Sequence, residues 1–172
     1  STNIVEQYCS ERLWDAYRGR SVTPYVLQSM LMALERVLLE IAEEKDVDII
    51  EPILLKLLTN TNSVAITAVV ASVVTSQPDK LYNIAKILFK TWELLHQDLR
   101  RKIKDQSQFN PAGFNSDKML KDEREKSNKL PNRNRSLEDI ALYYQLCEKD
   151  CPVDINVRRN ELSKIWDNWS SN

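Results

Sequence analysis

The residues able to do chemistry in this chain are few and scattered. Three cysteines, Cys9, Cys147 and Cys151, and a single histidine, His96, are the candidates for metal binding or nucleophilic work. A zinc site needs three or four ligands brought together. Cys147 and Cys151 are four apart and would share a face if one helix carried both. His96 is far from them in sequence, so the ligand set falls short and no metal or other cofactor is expected. An odd cysteine count in 172 residues is not a disulfide framework, and reduced cysteines fit a cytoplasmic protein. A general base wants an orienting partner. Asp98, two residues beyond His96, falls on a different helix face. His96 is therefore expected to be a surface or structural histidine, and the many serines have no plausible base to activate them. Glu43-Glu44, Glu123 and Glu125 read as solvated charges, not as an acid pair.

Nucleotide chemistry has no foothold either. A phosphate-cradling GxxxxGK(S/T) loop needs glycines, and the chain has only Gly19 and Gly113. No catalytic residue is assigned, and the chain is expected not to be an enzyme. One charged cluster stands out as a candidate binding surface: Arg100, Arg101, Lys102 and Lys104, with Arg133 and Arg135. Phosphate contact would need these side chains on one face. The neighbouring Asp98, Asp105, Asp122 and Glu123 dilute the field, so a solvated helix end is expected here and not a nucleic-acid partner. Trp14, Trp92, Trp166 and Trp169 could in principle form a ligand cage, but aromatics at helical spacing usually serve the core.

The elements that would position these residues read as helices throughout. Two glycines in 172 residues argue against a hairpin-rich sheet protein. The apolar fraction of 42% and net charge of -1 are ordinary for a globular domain, with no bulk pull toward nucleic acid or membrane. The apolar runs are too short and interrupted to span a bilayer. A first helix is expected over about Asn3 to Tyr17, with Asn3 and Glu6 as a capping box, a buried stripe of Ile4, Tyr8, Leu13, Trp14 and Tyr17, and Gly19 as its left-handed cap. A second runs from a Thr23-Pro24 start to Glu44. Val26, Leu27, Met30, Leu31, Leu34, Val37, Leu38 and Ile41, widened by Met32, Ala33 and Leu39, make it apolar on most sides, which predicts a place between layers. A third helix, about Ile49 to Thr59, ends at the polar turn Thr59 to Asn62.

Ser63 to Ser76, SVAITAVVASVVTS, is rich in valine and favours a strand by propensity. Its length, its helical flanks and its alanines Ala65, Ala68 and Ala71 favour a buried helix, and that is the reading adopted. Pro78 opens a helix whose apolar stripe runs toward Ile103, with a kink near Thr91. Residues 107–135 form a polar segment: a loop at Phe109 to Phe114, then Met119 to Lys129, read either as an exposed helix or as a mobile stretch, ended by Pro131. Ser136 and Asp139 form a capping signature for a helix bearing Leu137, Ile140, Ala141, Tyr144 and Leu146, which Pro152 breaks. A last helix over about Asp154 to Trp169 buries Leu162, Ile165, Trp166 and Trp169. The expected fold is all-α: an array of antiparallel helical hairpins, HEAT/armadillo-like in part. It is one domain with a helical core (1–106), a polar segment (107–135) and a C-terminal hairpin packed on the core (136–172). The opening Ser1-Thr2-Asn3, without methionine, suggests a piece of a longer parent.

Ile53 to Val74, ILLKLLTNTNSVAITAVVASVV, resembles one HEAT-type repeat, except that Ala65-Ile66 replaces the usual valine–arginine pair after the turn. Three longer stretches, LWDAYRGRSVTPYVLQSMLMALERVLLE, NSVAITAVVASVV and DEREKSNKLPNRNRSLEDIA, resemble segments of very large bacterial STAND-type (signal-transduction) NTPases, antiviral defence ATPases among them. The resemblance implies a non-catalytic helical interaction or sensor segment lying outside the nucleotide-binding core. Its partners would be other segments of the parent chain or another protein, with no membrane contact. A free-standing helical nucleic-acid-binding domain is the alternative.

Overall fold

A computed structural model describes residues 5–18, 23–107, 130–147 and 151–170. The expected loop at Phe109 to Phe114, the helix from Met119 to Lys129 and the Asn3 and Gly19 caps lie outside these residues. The protein is all-α. Its elements are α1 (Glu11–Trp14), a 3₁₀ turn (Ala16–Arg18), α2 (Tyr25–Glu44), α3 (Val47–Thr59), α4 (Val64–Ser76), α5 (Tyr82–Leu88), α6 (Trp92–Ser107), α7 (Pro131–Asn134), α8 (Leu137–Leu146) and α9 (Ile155–Ser170). No described helix is long and apolar enough to cross a membrane.

The valine-rich run is helix α4, and it is the hub of the fold. Ser63 caps it by accepting from Ala65 N at 3.4 Å. Every residue from Val64 to Thr75 except Ile66 is buried, because α1, α2, α3, α5, α7 and α8 all pack around it. A helix satisfies its own backbone, so one that is apolar all round can sit in the middle of a bundle. A strand there would need ladder partners on both edges. Among the described residues the only bridge is an isolated one between Tyr8 and Ser63. Tertiary surroundings thus override the β-propensity of valine. Ala65, Ala68 and Ala71 are 3%, 0% and 0% exposed. Ala68→Leu should therefore overpack the hub at a cost of about 1–3 kcal/mol. That lowers the melting midpoint by about 2–12 °C for a chain of this size. A midpoint equal to that of the unsubstituted protein would show that the alanine side of α4 has room to spare.

Several local expectations are corrected. The long first helix does not form. Residues 5–9 are not helical, and Tyr8 exchanges backbone bonds with the turn before α4, N to Asn62 O at 2.7 Å and O from Val64 N at 3.2 Å. The cap is Ser10, which accepts from Leu13 N at 3.2 Å. Trp14 and Tyr17 are buried as expected, but Tyr8 is exposed. Helix α2 does not lie between layers. Its buried stripe is narrow, Gln28, Leu31, Glu35, Leu38 and Ala42, and most of its other apolar residues face outward. Thr23 is not its side-chain cap; Pro24 holds the cap position, and Thr23 instead accepts from Gln28 Nε2.

The single helix expected after Pro78 is two helices, broken near Thr91, the place of the expected kink. Lys90 N and Thr91 N bond three residues back, to Ile87 O and Leu88 O, which tightens and ends α5. The carbonyl of Lys90 is taken by Trp169 Nε1 at 3.3 Å. At the other end, α8 carries the full Ser136–Asp139 capping box. It ends at Leu146, well before Pro152, so Cys147 and Cys151 do not share its face. Helix α9 packs on α8 and buries Leu162 and Ile165.

Candidate functional site

The most unusual feature is a band of buried charge. Glu35 sits at the centre of the inner stripe of α2, 3% exposed. Its Oε1 accepts from Ser72 Oγ of α4 and from Asn132 Nδ2 at 3.3 Å, and Asn132 also reaches Ser72 Oγ at 2.9 Å. Its Oε2 takes Arg133 Nη2 at 2.5 Å. The Arg133 guanidinium lies over the Tyr17 ring, 5.5 Å from the centroid. Arg133 Nε and Nη1 and Tyr17 Oη are buried with no hydrogen-bond partner among the described residues. Burial pushes the Tyr17 hydroxyl up to about 12 against the pull of Arg101 and Arg133, so it stays protonated near neutrality.

A second buried cluster adjoins the first. Arg101 is held between Asp98 (Nε to Oδ1 2.8 Å, Nη2 to Oδ2 3.3 Å) and Asp105 (Nη1 to Oδ2 3.1 Å) on its own helix. It also donates to the carbonyls of Arg133 at 3.3 Å and Arg135 at 2.6 Å. Asp98 Oδ2 accepts from Leu137 N at 2.8 Å, and Arg18 pairs with Asp105 at 3.2 Å. Burial works against the Arg101 charge, yet Asp98 and Asp105 hold it firmly protonated. Every carboxylate here faces a cation or an amide. The arrangement is that of a clamp: it ties the one-turn helix α7 and the start of α8 to α2, α4 and α6.

The expected basic surface is broken up by this packing. Arg101 and Arg133, 1% and 7% exposed, are not on a surface at all. Of the others, Arg100 pairs with Glu11 at 2.7 Å, Lys102 with Asp139 at 2.6 Å, and Lys104 with Asp15 at 2.8 Å and with Glu11. Arg135 is exposed. The cysteines are free, His96 is exposed, and no group of three His, Cys, Asp or Glu among the described residues could hold a metal. The tryptophans do not converge on one cage. Trp14 is core, Trp92 stands exposed beside His96, and Trp166 and Trp169 lie with ring centroids 4.4 Å apart, tilted 55° to each other, at the end of α5.

What the sequence reading missed was polar residues on apolar stripes. Gln28 and Glu35 are seven apart on the line of Leu31, Leu38 and Ala42, and Asp98, Arg101 and Asp105 follow at three and four. The spacing was the signal; the partners supplied by residues 131–137 gave none.

Outward from the clamp, α2 presents an apolar stripe to solvent. Val26, Met30, Ala33 and Val37 recur at four, three and four residues, and all are exposed, Val26 by 72%, Met30 by 65% and Val37 by 50%. The same line continues into Glu40 and Glu44. Isolated exposed apolar residues are ordinary, whereas a contiguous line of them along one helix is a less common surface feature. An open groove of about 520 Å³ beside the α3–α4 turn, lined by Ile53, Leu57 and Ile66 with Lys56 at its edge, adds further apolar surface. No protein-family profile matches the chain, and no curated protein matches it at a significant level.

Proposed function

We propose that this chain is a non-catalytic helical interaction or sensor region of a larger NTPase-linked signalling or defence protein, with the outward stripe of α2 as its docking face. The observation that carries the reading is that stripe: a 20-residue helix fully anchored by its inner line and still apolar along its outer one. Solvating it costs the protein roughly 25 cal/mol per Å² that a partner would remove. The resemblance of Leu13 to Glu40, which includes most of α2, to STAND-type NTPases supports the kind of parent. The α3–α4 hairpin with its Thr59 to Asn62 turn supports a HEAT-like unit. The alternative of nucleic-acid binding loses ground, because two of its six basic residues are buried and three are paired with acids.

The mechanism is surface complementarity. The clamp fixes α2 against α4, so the stripe is presented on a rigid helix and little conformational entropy is lost on docking. Purified protein is expected neither to bind nor to hydrolyse ATP, since no glycine-rich loop is present to cradle the phosphates. Saturable ATP binding in the micromolar range, measured by calorimetry, overturns the reading. In the parent protein, Met30→Glu/Val37→Glu should abolish signalling output while the chain melts normally. Full output from that variant overturns α2 as the docking face.

A further inference from the structure

The outer line of α2 is divided in charge as well as polarity. Its first three turns are apolar. Its last two carry Glu40, Glu43 and Glu44, all exposed, at the helix end where the dipole disfavours carboxylates. Lys80 Nζ reaches the carbonyls of Ala42 and Glu43 there, but no basic residue stands in the last turn of α2 itself. The opposite end is the complement. Pro24 offers no side-chain acceptor to the first-turn N–H groups, and no acid stands in that turn. A helix with surplus carboxylate at its C-terminus and none at its N-terminus is matched by the same helix running the other way.

We infer that the occupant of this face is a second copy of the chain, with two α2 helices packed antiparallel about a twofold axis. The inference rests on the docking-face reading above and names its partner. Placing Val26 opposite Val37 sets Met30 opposite Ala33, and the small Ala33 side chain lets the helices approach at the usual 8–10 Å or so. In this register Glu40 of each copy lies near the first turn of the other, where Pro24 supplies no side-chain cap. Arg36 holds Glu40 only through Oε1, at 3.0 Å on an exposed surface, which leaves Oε2 to accept from the partner's amides. The twofold axis makes each contact twice, so the interface is self-complementary and closed. A parallel pairing would set Glu40, Glu43 and Glu44 of the two copies against one another.

Sedimentation equilibrium of the intact chain tests this directly. The expected result is a concentration-dependent rise from 20.0 kDa to twice that mass. Met30→Glu/Val37→Glu should raise the dimer Kd by at least about 100-fold, because unpaired carboxylates would be buried in the seam. Glu40→Lys should raise it by about 3–30-fold while leaving the monomer's own melting midpoint equal or higher, since it relieves the dipole conflict within the helix. All three positions are solvent-facing, so the variants should fold, and circular dichroism checks that they do. A mass of 20.0 kDa up to about 1 mM, a dimer that survives the double variant, or one that Glu40→Lys leaves unmoved or strengthens overturns the pairing. A monomer that binds an apolar dye, and loses that binding in Met30→Glu/Val37→Glu, overturns the second copy as occupant but leaves the docking face standing. ATP binding overturns the wider reading without touching the pairing.

Discussion

Replacing Glu35 by alanine is expected to lower the melting midpoint by about 6–20 °C. Removing one member of a buried ion pair strands the other, at a cost of about 3–5 kcal/mol, and each kcal/mol moves the midpoint of a chain this size by about 2–4 °C. Arg133 is an extreme case of that exposure to loss. Two of its guanidinium nitrogens already lack a partner among the described residues, and Glu35 is the acid it touches. Ser72 and Asn132 would lose an acceptor in the same step. The control is Glu35→Leu/Arg133→Met, which removes both charges and fills the space with apolar atoms. Buried pairs replaced in this way often cost nothing or gain stability. The double variant should therefore melt well above Glu35→Ala. If Glu35→Ala loses less than about 1 kcal/mol, the pair is better solvated than its burial implies.

The fold was legible wherever one local signal agreed with its surroundings. The Ser136–Asp139 box announced α8, and the Thr59 to Asn62 turn ended α3 where Thr59 Oγ1 and Asn60 Nδ2 bond back to Leu55 O and Lys56 O. The buried helix α4 was readable from its length and helical flanks in spite of its valines. The position of α2 was misread for a physical reason. Hydrophobic content tells how much apolar surface a helix carries, not how much of it the rest of the chain covers. Leu31 and Leu38 are covered, whereas Val26, Met30 and Val37 are not.

The basic cluster failed in the opposite direction. Arg101 and Arg133 look like surface cations because arginine is seldom buried without partners. Their partners are Asp98, Asp105 and Glu35, of which only the first two lie within a turn or so of Arg101 in sequence. Glu35 is 98 residues from Arg133, and no local pattern links them. The first segment was lost to a similar long-range competitor: Tyr8 takes its backbone partners from residues 62–64.

Arg101→Met should act on one part of the molecule before the rest. The guanidinium joins Asp98 and Asp105 of α6 to the carbonyls of Arg133 and Arg135, so its loss leaves two buried carboxylates short of a cation and two carbonyls short of a donor. A total cost of about 3–5 kcal/mol is expected. The place where it is felt follows from the contacts. α7 and the start of α8 are held to α6 by this residue, by the bond from Leu137 N to Asp98 and by the partly exposed Lys102–Asp139 pair. The hub α4 keeps its packing against α2, α3 and α5. Amide hydrogen exchange should therefore speed up first in residues 131–146, by about 100-fold or more at sub-global openings, while α4 loses protection only to the extent that global stability falls. Glu35→Ala frees the same segment from its other side. The two substitutions should consequently be less than additive, with a coupling of about 0.5–3 kcal/mol. Uniform loss of protection across all helices in Arg101→Met would mean that α7 and α8 do not open as a unit, and that the clamp stabilises the whole bundle cooperatively.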